Sequence, residues 1–546
     1  MHASGSSKTS RRSEKRARWW AAPAVALALG VLGAAAIAYV QARGWTLYYG
    51  DAVAHLNIAR RVFDSRTPGW EQIGTVWLPF PHLLMLPLVS TDWLWRTGLA
   101  GAIVSSAFFV LAGTFLFLAA RRAFASDAAG AVAAFALALN PNVLYLQAIP
   151  MTEAVFLACF TGLLYFTVLF RDSQSLWAAA AAGVCGLAGA MTRYEGWFLL
   201  PFCALYVLAA ARRRRIVAAA VFSAIAIVGP LYWLAHNWWY WGDALEFYRG
   251  QWSAKAIYER ALAAGMARYP GDGDWRAAWK YFSEAVLVAG GLPLAVIGLA
   301  GVAASLLKKQ VWPIVLLALV PAFYVWSMHS GSTPIYVPHL WPNSYYNTRY
   351  AVGALPLLAL GAAALAALAP TRFRGLAATA LVLAAITPWM LRPTPESWIC
   401  WKESEVNSVA RRAWTGEAAR YLRARYGPRD GVFTSFGDLA GVFLEAGLPL
   451  REALHEGNRP QWEAAVLRPD LFVSERWVLA ISGDKVATAI ERAPKDGPHY
   501  DLLESIAIKG APVIRIYRRT NGNPFHEGAR RQERLSSDLG QRGSAR

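Results

Sequence analysis

Apolar residues come in long runs along this chain, separated by short polar turns that hold much of the charge. The first run covers residues 19–40. Others lie near 99–120, 128–146, 153–170, 176–192, 197–211, 216–235, 285–307, 311–328, 351–369 and 374–391. Most approach the roughly 20 apolar residues a helix needs to cross a bilayer, where every backbone polar group must be satisfied internally. The pattern predicts a mainly α, polytopic helical membrane protein with about eleven spans. A further apolar stretch, 83–89, is too short to span and too rich in proline for a regular helix. It is assigned to the membrane interface.

From about residue 395 the pattern changes. Residues 395–519 mix charged helical stretches (417–425 and 485–492) with short apolar strands (432–436, 471–473 and 513–517), as expected of a small α/β domain. Residues 520–546 are polar and rich in Gly, Arg and Ser, the composition of a disordered tail.

Charge orients the spans. Lys8, Arg11, Arg12, Lys15, Arg16 and Arg18 make residues 1–18 a basic tail, and Arg121–Arg122, Arg171, Arg212 to Arg215, Lys308–Lys309 and Arg372/Arg374 fall on the same side. By the positive-inside rule that side is cytoplasmic, which puts the domain at 395–519 outside the plasma (inner) membrane. A cleaved signal peptide is the alternative for the start of the chain, but its apolar part is long for one. The membrane region 19–394 then presents outer segments at 42–98, 236–284 and 329–350, plus a tight turn around Asn140–Pro141–Asn142. Within the first, 51–66 reads as an amphipathic helix. The 236–284 segment opens on Trp238, Trp239, Tyr240 and Trp241, an interfacial aromatic belt.

Composition agrees. Hydrophobic residues make up 56 % and charged ones 16 % of the 546 residues, against about 25 % charged in ordinary soluble domains. The net charge of +19 sits at the ends of apolar runs instead of along an aromatic-interleaved stripe, so nucleic acid is not the expected partner. Cys159, Cys185, Cys203 and Cys400 have neither disulfide-framework nor metal-ligand spacing.

Ionisable groups at the outer ends of spans are costly there, and hence candidates for function. Asp51 follows Tyr48–Tyr49–Gly50 directly after the first span, with His55 one turn on along the same helical face. An acid and an imidazole so placed suit general-base work, or a site near a metal. A plain helix cap is the other reading of Asp51, and from spacing alone the simpler one. Glu153, after Thr152, starts the span at 153–170 and reads either as first-turn helix chemistry or as a second acid meeting Asp51. Arg193 and Glu195 share a short outer turn, where a local ion pair is the simpler reading. Arg349, followed by Tyr350, is the one Arg or Lys of segment 329–350. Its planar fork suits a phosphate, with interfacial snorkelling as the alternative. His82, His329 and His339, beside Pro and Trp, read more simply as structural.

In order and membrane side, Tyr48–Tyr49–Gly50–Asp51, Thr152–Glu153, Thr192–Arg193–Tyr194–Glu195–Gly196 and Arg349–Tyr350 before Leu355–Pro356 resemble the motifs of the GT-C glycosyltransferases. The likeness is to bacterial members similar to protein O-mannosyltransferases and aminoarabinose transferases (a glycosyltransferase family 39-like layout). It covers about residues 19–391. The resemblance implies sugar transfer on the outer face from a polyprenyl-phosphate donor to an envelope acceptor. Asp51 then matches the first-loop catalytic acid, Glu153 a further acid, and Arg349–Tyr350 the segment near the lipid phosphate. The chain departs from the mannosyltransferase pattern in having Ala52 after Asp51. It also lacks the paired acids of metal-dependent oligosaccharyl transferases, so no cofactor is assigned and a divalent metal ion stays open.

In that reading Asp51 is the general base, Arg349 holds the phosphate, and His55, Arg193, Glu195 and Tyr350 bind or orient substrate, giving hexosyl or pentosyl transfer with inversion. Two other classes compete. A transporter or flippase of lipid-linked sugars would show paired halves and mid-membrane charges, and a non-catalytic envelope scaffold would tolerate loss of Asp51.

Overall fold

The computed structural model describes residues 5–307, 309–493 and 499–520. Most of the predicted tail at 520–546 lies outside the described residues. The chain divides into two compact units, Met1–His55 with Thr75–Val406, and Leu56–Gly74 with Asn407–Arg546.

The first unit is helical. α1 (Gly5–Ala42) and α2 (Gly50–Arg61) are followed by α3 (Phe80–Val89), α4 (Asp92–Thr97), α5 (Leu99–Phe124), α6 (Asp127–Ala138) and α7 (Pro141–Gln147). Then come α8 (Glu153–Ser173), α9 (Leu176–Ala190), α10 (Tyr194–Ala210), α11 (Arg215–Ala226) and α12 (Val228–Trp241). After α13 (Glu246–Arg249) and α14 (Ala254–Ala263), the helices α15 (Trp275–Gly290), α16 (Leu292–Leu307), α17 (Val311–His329), α18 (Leu355–Leu368) and α19 (Arg374–Leu391) complete the apolar series. Among the described residues seven helical stretches are long and apolar enough to cross a membrane, or nine if each of two bent pairs counts as one span. α9 and α10, read as spans in the sequence, are shorter apolar helices of 15 and 17 residues.

Local chemistry sets the breaks. Asn140 accepts hydrogen bonds from the amides of Asn142 (2.9 Å) and Val143 (3.4 Å), and Pro141 supplies the preset φ of a first helical residue. The run predicted at 128–146 is therefore two helices, α6 and α7, bent by 69°. Gly291, at φ +79°, breaks α15 from α16 at 111°, and φ in this region favours a residue without Cβ. The stretch at 83–89 is corrected: it lies within the regular helix α3. Pro81 falls in its first turn, where no backbone bond is lost, and Pro87 falls only near its end. Phe117, Phe160, Phe222 and Trp233 are fully buried in the core of this unit.

The second unit carries a five-stranded sheet in the order β2-β1-β3-β5-β4. β1 (Val432–Thr434) pairs in parallel with β2 (Ala453–Leu454) and β3 (Trp477–Ile481), while β5 (Ile514–Arg519) runs antiparallel to β3 and to β4 (Tyr500–Ile506). α20 (Ile399–Arg425), whose later turns belong here, precedes α21 (Ala440–Ala446), α22 (Gln461–Leu467), α23 (Pro469–Phe472) and α24 (Lys485–Glu491). The α/β expectation holds for this sheet. The strand expected at 471–473 is instead largely α23, because Pro469 sits where proline starts a helix.

Candidate active site

Asp51 lies in the first turn of α2, not at its cap. Its Oδ2 accepts a hydrogen bond from Nη2 of Arg349 at 2.6 Å. Arg349 is the second residue of the 3-10 turn Thr348–Ala354 that leads into α18, and its other nitrogens face two more acids. Nη1 is 3.4 Å from Oε1 of Glu403, and Nε is 3.2 Å from Oε1 of Glu153, an ion-pair distance without hydrogen-bond alignment.

Arg193 continues the network. Its Nη1 reaches Glu153 Oε1 and the Thr152 hydroxyl, both at 3.1 Å, and its Nε reaches Glu195 Oε1 at 2.7 Å. Nη2 donates to the Tyr324 hydroxyl at 2.9 Å, and that hydroxyl donates to Glu195. Both guanidiniums also lie over the Tyr350 ring, at 4.8 and 5.0 Å, a cation–π arrangement that Arg favours. The local readings therefore account for part of the contacts only. The Arg193–Glu195 pair exists, but the same guanidinium ties two helix starts together, and the Thr152 hydroxyl serves Arg193 instead of the amides of α8.

Two guanidiniums thus face four carboxylates, and exposure tells the acids apart. The side chains of Glu403, Glu153 and Glu195 are 2 %, 6 % and 6 % exposed, whereas Asp51 is 36 % exposed. Oε2 of Glu153 is buried with no partner among the described residues. Glu403 accepts from the amides of Asn347 (3.1 Å) and Thr348 (2.7 Å) and from the Thr348 hydroxyl (2.5 Å). Burial pushes its carboxyl above the usual range, opposed by Arg349 and these donors.

His55 lies one turn beyond Asp51. Its Nδ1 is 2.9 Å from Nε2 of His82, and its ring sits 4.8 Å from that of Trp77. Burial, and then the charges of Arg349 and Arg193, push the His55 imidazole down to about 3, so it is neutral at physiological pH. The structure gathers Asp51, Glu153, Arg193, Glu195, Arg349 and Tyr350 into one network with His55 beside it. His329 stacks on Trp275 at 3.9 Å and His339 pairs with Glu284 at 3.0 Å, both outside it.

Glu403 and Tyr324 were missed. Glu403 falls in a charged stretch assigned to the soluble domain, and Tyr324 is one aromatic in an apolar run, so neither announces itself by position. Among the described residues no three His, Cys, Asp or Glu side chains converge so as to hold a metal ion. The four acids turn toward guanidiniums instead. The described residues of this site do not make a ligand set for a metal ion.

No protein-family model matches the sequence, and no curated protein matches it. Solved structures do. ArnT, the aminoarabinose transferase of Cupriavidus metallidurans, is similar both bound to undecaprenyl phosphate and in the apo state. The TM-score is 0.54 at 14 % identity, over 88 % of this chain and 97 % of that one. The Archaeoglobus fulgidus oligosaccharyltransferase in complex with Zn and sulfate has a TM-score of 0.44 at 12 % identity, over 84 % of this chain and 68 % of that one. At such identities what is shared with ArnT is the architecture, and this polytopic membrane protein has the GT-C fold of membrane glycosyltransferases.

Proposed function

We propose that the protein transfers a sugar from a polyprenyl-phosphate-linked donor to an envelope acceptor on the outer face of the plasma membrane, with Asp51 as general base. The observation that carries this reading is Asp51 itself, the one accessible acid of the four, pinned by Arg349. The fold shared with ArnT, a protein solved with undecaprenyl phosphate bound, supports the choice of donor.

A sugar hydroxyl is a weak nucleophile at neutral pH, and a carboxylate positioned against it accelerates attack by about 10²–10⁴-fold. Asp51 takes the hydroxyl proton as the acceptor oxygen bonds to the anomeric carbon. The bond from that carbon to the phosphate oxygen breaks, and its electron pair leaves with the phosphate. The leaving group is already a stable anion, so it needs a cation and no acid. Arg349 is that cation. Glu153 and Glu195 orient the two guanidiniums, Tyr350 supports both, and neutral His55 adds hydrogen-bonding capacity without adding charge. With one carboxylate acting on the acceptor, the displacement inverts the anomeric centre, for a hexosyl or a pentosyl donor alike.

Mass spectrometry of envelope glycans, lipids and proteins tests this, in cells expressing the wild type, Asp51→Asn or no protein. The expected result is a sugar mass increment with the wild type, reduced about 10²–10⁴-fold in Asp51→Asn. An increment untouched by Asp51→Asn but lost in Glu153→Gln would move the base to Glu153. No increment in any strain, with the protein folded in the membrane, overturns transfer in favour of transport or scaffolding.

A further inference from the structure

Tyrosines join the segments 236–284 and 329–350 of the first unit. Tyr336 and Tyr346 exchange backbone hydrogen bonds, N to O at 2.9 and 3.3 Å, and their rings lie 5.8 Å apart. Tyr269, from the loop before α15, lies 6.2 Å from Tyr336 and is stacked at 3.8 Å on buried Tyr258. The Tyr258 hydroxyl in turn accepts from the Tyr269 amide and donates to Asp272. Tyr269, Tyr336 and Tyr346 therefore form a braced row of rings. Tyr346 is 47 % exposed and the other two are partly exposed. Among the described residues none of their three hydroxyls has a partner.

The row ends at the acid and arginine network. Tyr346 immediately precedes Asn347 and Thr348, whose amides bind Glu403, and it lies within electrostatic reach of Asp51 and Arg349. Between Gly331 and that network the segment itself is uncharged, since residues 330–347 contain no Lys, Arg, Asp or Glu, and the charges nearest Tyr346 are Asp51 and Arg349 at the row's inner end. Along that segment a charged peptide or a phosphate finds no counter-charge, and an acyl chain would leave the phenol hydroxyls without hydrogen-bond partners. A pyranose suits it, because it offers an apolar face of C–H bonds to a ring and a rim of hydroxyls to free phenols.

The geometry points to Tyr269, Tyr336 and Tyr346 as a binding track for the oligosaccharide part of an envelope glycan, which delivers its end hydroxyl to Asp51. This inference rests on the transferase reading and names the acceptor class for it. Ring faces supply the contact area, and the phenol hydroxyls select neutral polyols over lipid.

Two measurements test it. The first locates the sugar increment made by wild-type cells. An increment on a saccharide unit supports the track, while one on a peptide side chain or a sugar-free lipid overturns it and leaves transfer standing. Absence of any increment overturns transfer itself, and the track with it. The second measures transfer by the full-length protein in nanodiscs, using membrane-extracted donor and oligosaccharide released from envelopes of cells lacking the protein. Tyr269→Leu/Tyr336→Leu should raise KM for the oligosaccharide about tenfold with little change in kcat. Should that variant fail to fold, Tyr336→Phe/Tyr346→Phe keeps the rings and should still raise KM about threefold through the lost hydroxyls. An unchanged KM in folded variants overturns the track.

Discussion

Arg349 is held by three acids, and the least exposed of them, Glu403, does most to fix its position. Glu403 receives two amides and the Thr348 hydroxyl as well as the guanidinium. Glu403→Gln would turn an amide NH2 toward donors, leaving at least one buried donor unmatched at a cost of about 2 kcal/mol. The freed Thr348 turn would let Arg349 shift against Asp51, and small misplacements of catalytic groups cost about 10²-fold. We expect Glu403→Gln to lower kcat by that order. Because it acts through Arg349, the double variant with Arg349→Ala should be no slower than Arg349→Ala alone, in a double-mutant cycle on purified protein. Multiplying effects would place Glu403 in a separate role. Asp51, Glu153, Arg193, Glu195 and Arg349 were legible because an ionisable group at the end of an apolar run stands out. Glu403 was not legible, since a carboxylate among Lys402 and Glu405 looks like a solvated helix face, and only packing buries it.

Among elements, α16 and α18 approach most closely through glycines. A Cβ on Gly301 would overlap the carbonyl oxygen of Gly361, and one on Gly298 would lie 2.7 Å from Leu358 Cα. Small residues let membrane helices meet backbone to backbone where lipid offers no hydrophobic driving force. Gly301→Ala has nowhere to place its methyl, because the obstacle is backbone. The variant should lose about 1–3 kcal/mol, the usual cost of overpacking, seen as a lower thermal midpoint in detergent, whereas Gly30→Ala, with open space around its Cβ, should not. Equal midpoints would mean that α16 and α18 are not packed so closely. The apolar runs made helices legible, since a bilayer leaves the backbone few alternatives. Their breaks were less so. Asn140 and Gly291 each redirect a run that stays apolar enough to read as one span, and α3 forms despite two prolines because both avoid its middle.

At the scale of the whole chain, the unit holding the sheet is completed by Leu56–Gly74, residues far away in sequence. Buried Asp64 accepts from Arg60 Nε (2.9 Å) and Arg451 Nη1 (3.1 Å) and from the amides of Leu450 and Arg451 (both 3.3 Å). Gln72 donates to the carbonyl of Gly457 at 2.7 Å, Asn57 to that of Ala440 at 3.3 Å, and Asn458 to the hydroxyls of Ser65 and Thr67 at 3.0 Å. Composition shifts near residue 395, but it could not reveal that this loop belongs with the sheet, because the contacts are polar and specific instead of periodic. Without the loop these groups lose their partners to water, and each lost hydrogen bond forfeits about 0.5–1.5 kcal/mol, or about 1.5–3 kcal/mol where Asp64 was the acceptor. Several such losses approach the 5–15 kcal/mol that holds an ordinary domain together. Residues 407–520 expressed alone should therefore show no cooperative melting, and the same fragment with 56–74 joined through a flexible linker should regain it. Circular dichroism on the two fragments decides the matter, since a sharp transition in the shorter one would mean that the sheet and its helices fold without the first loop.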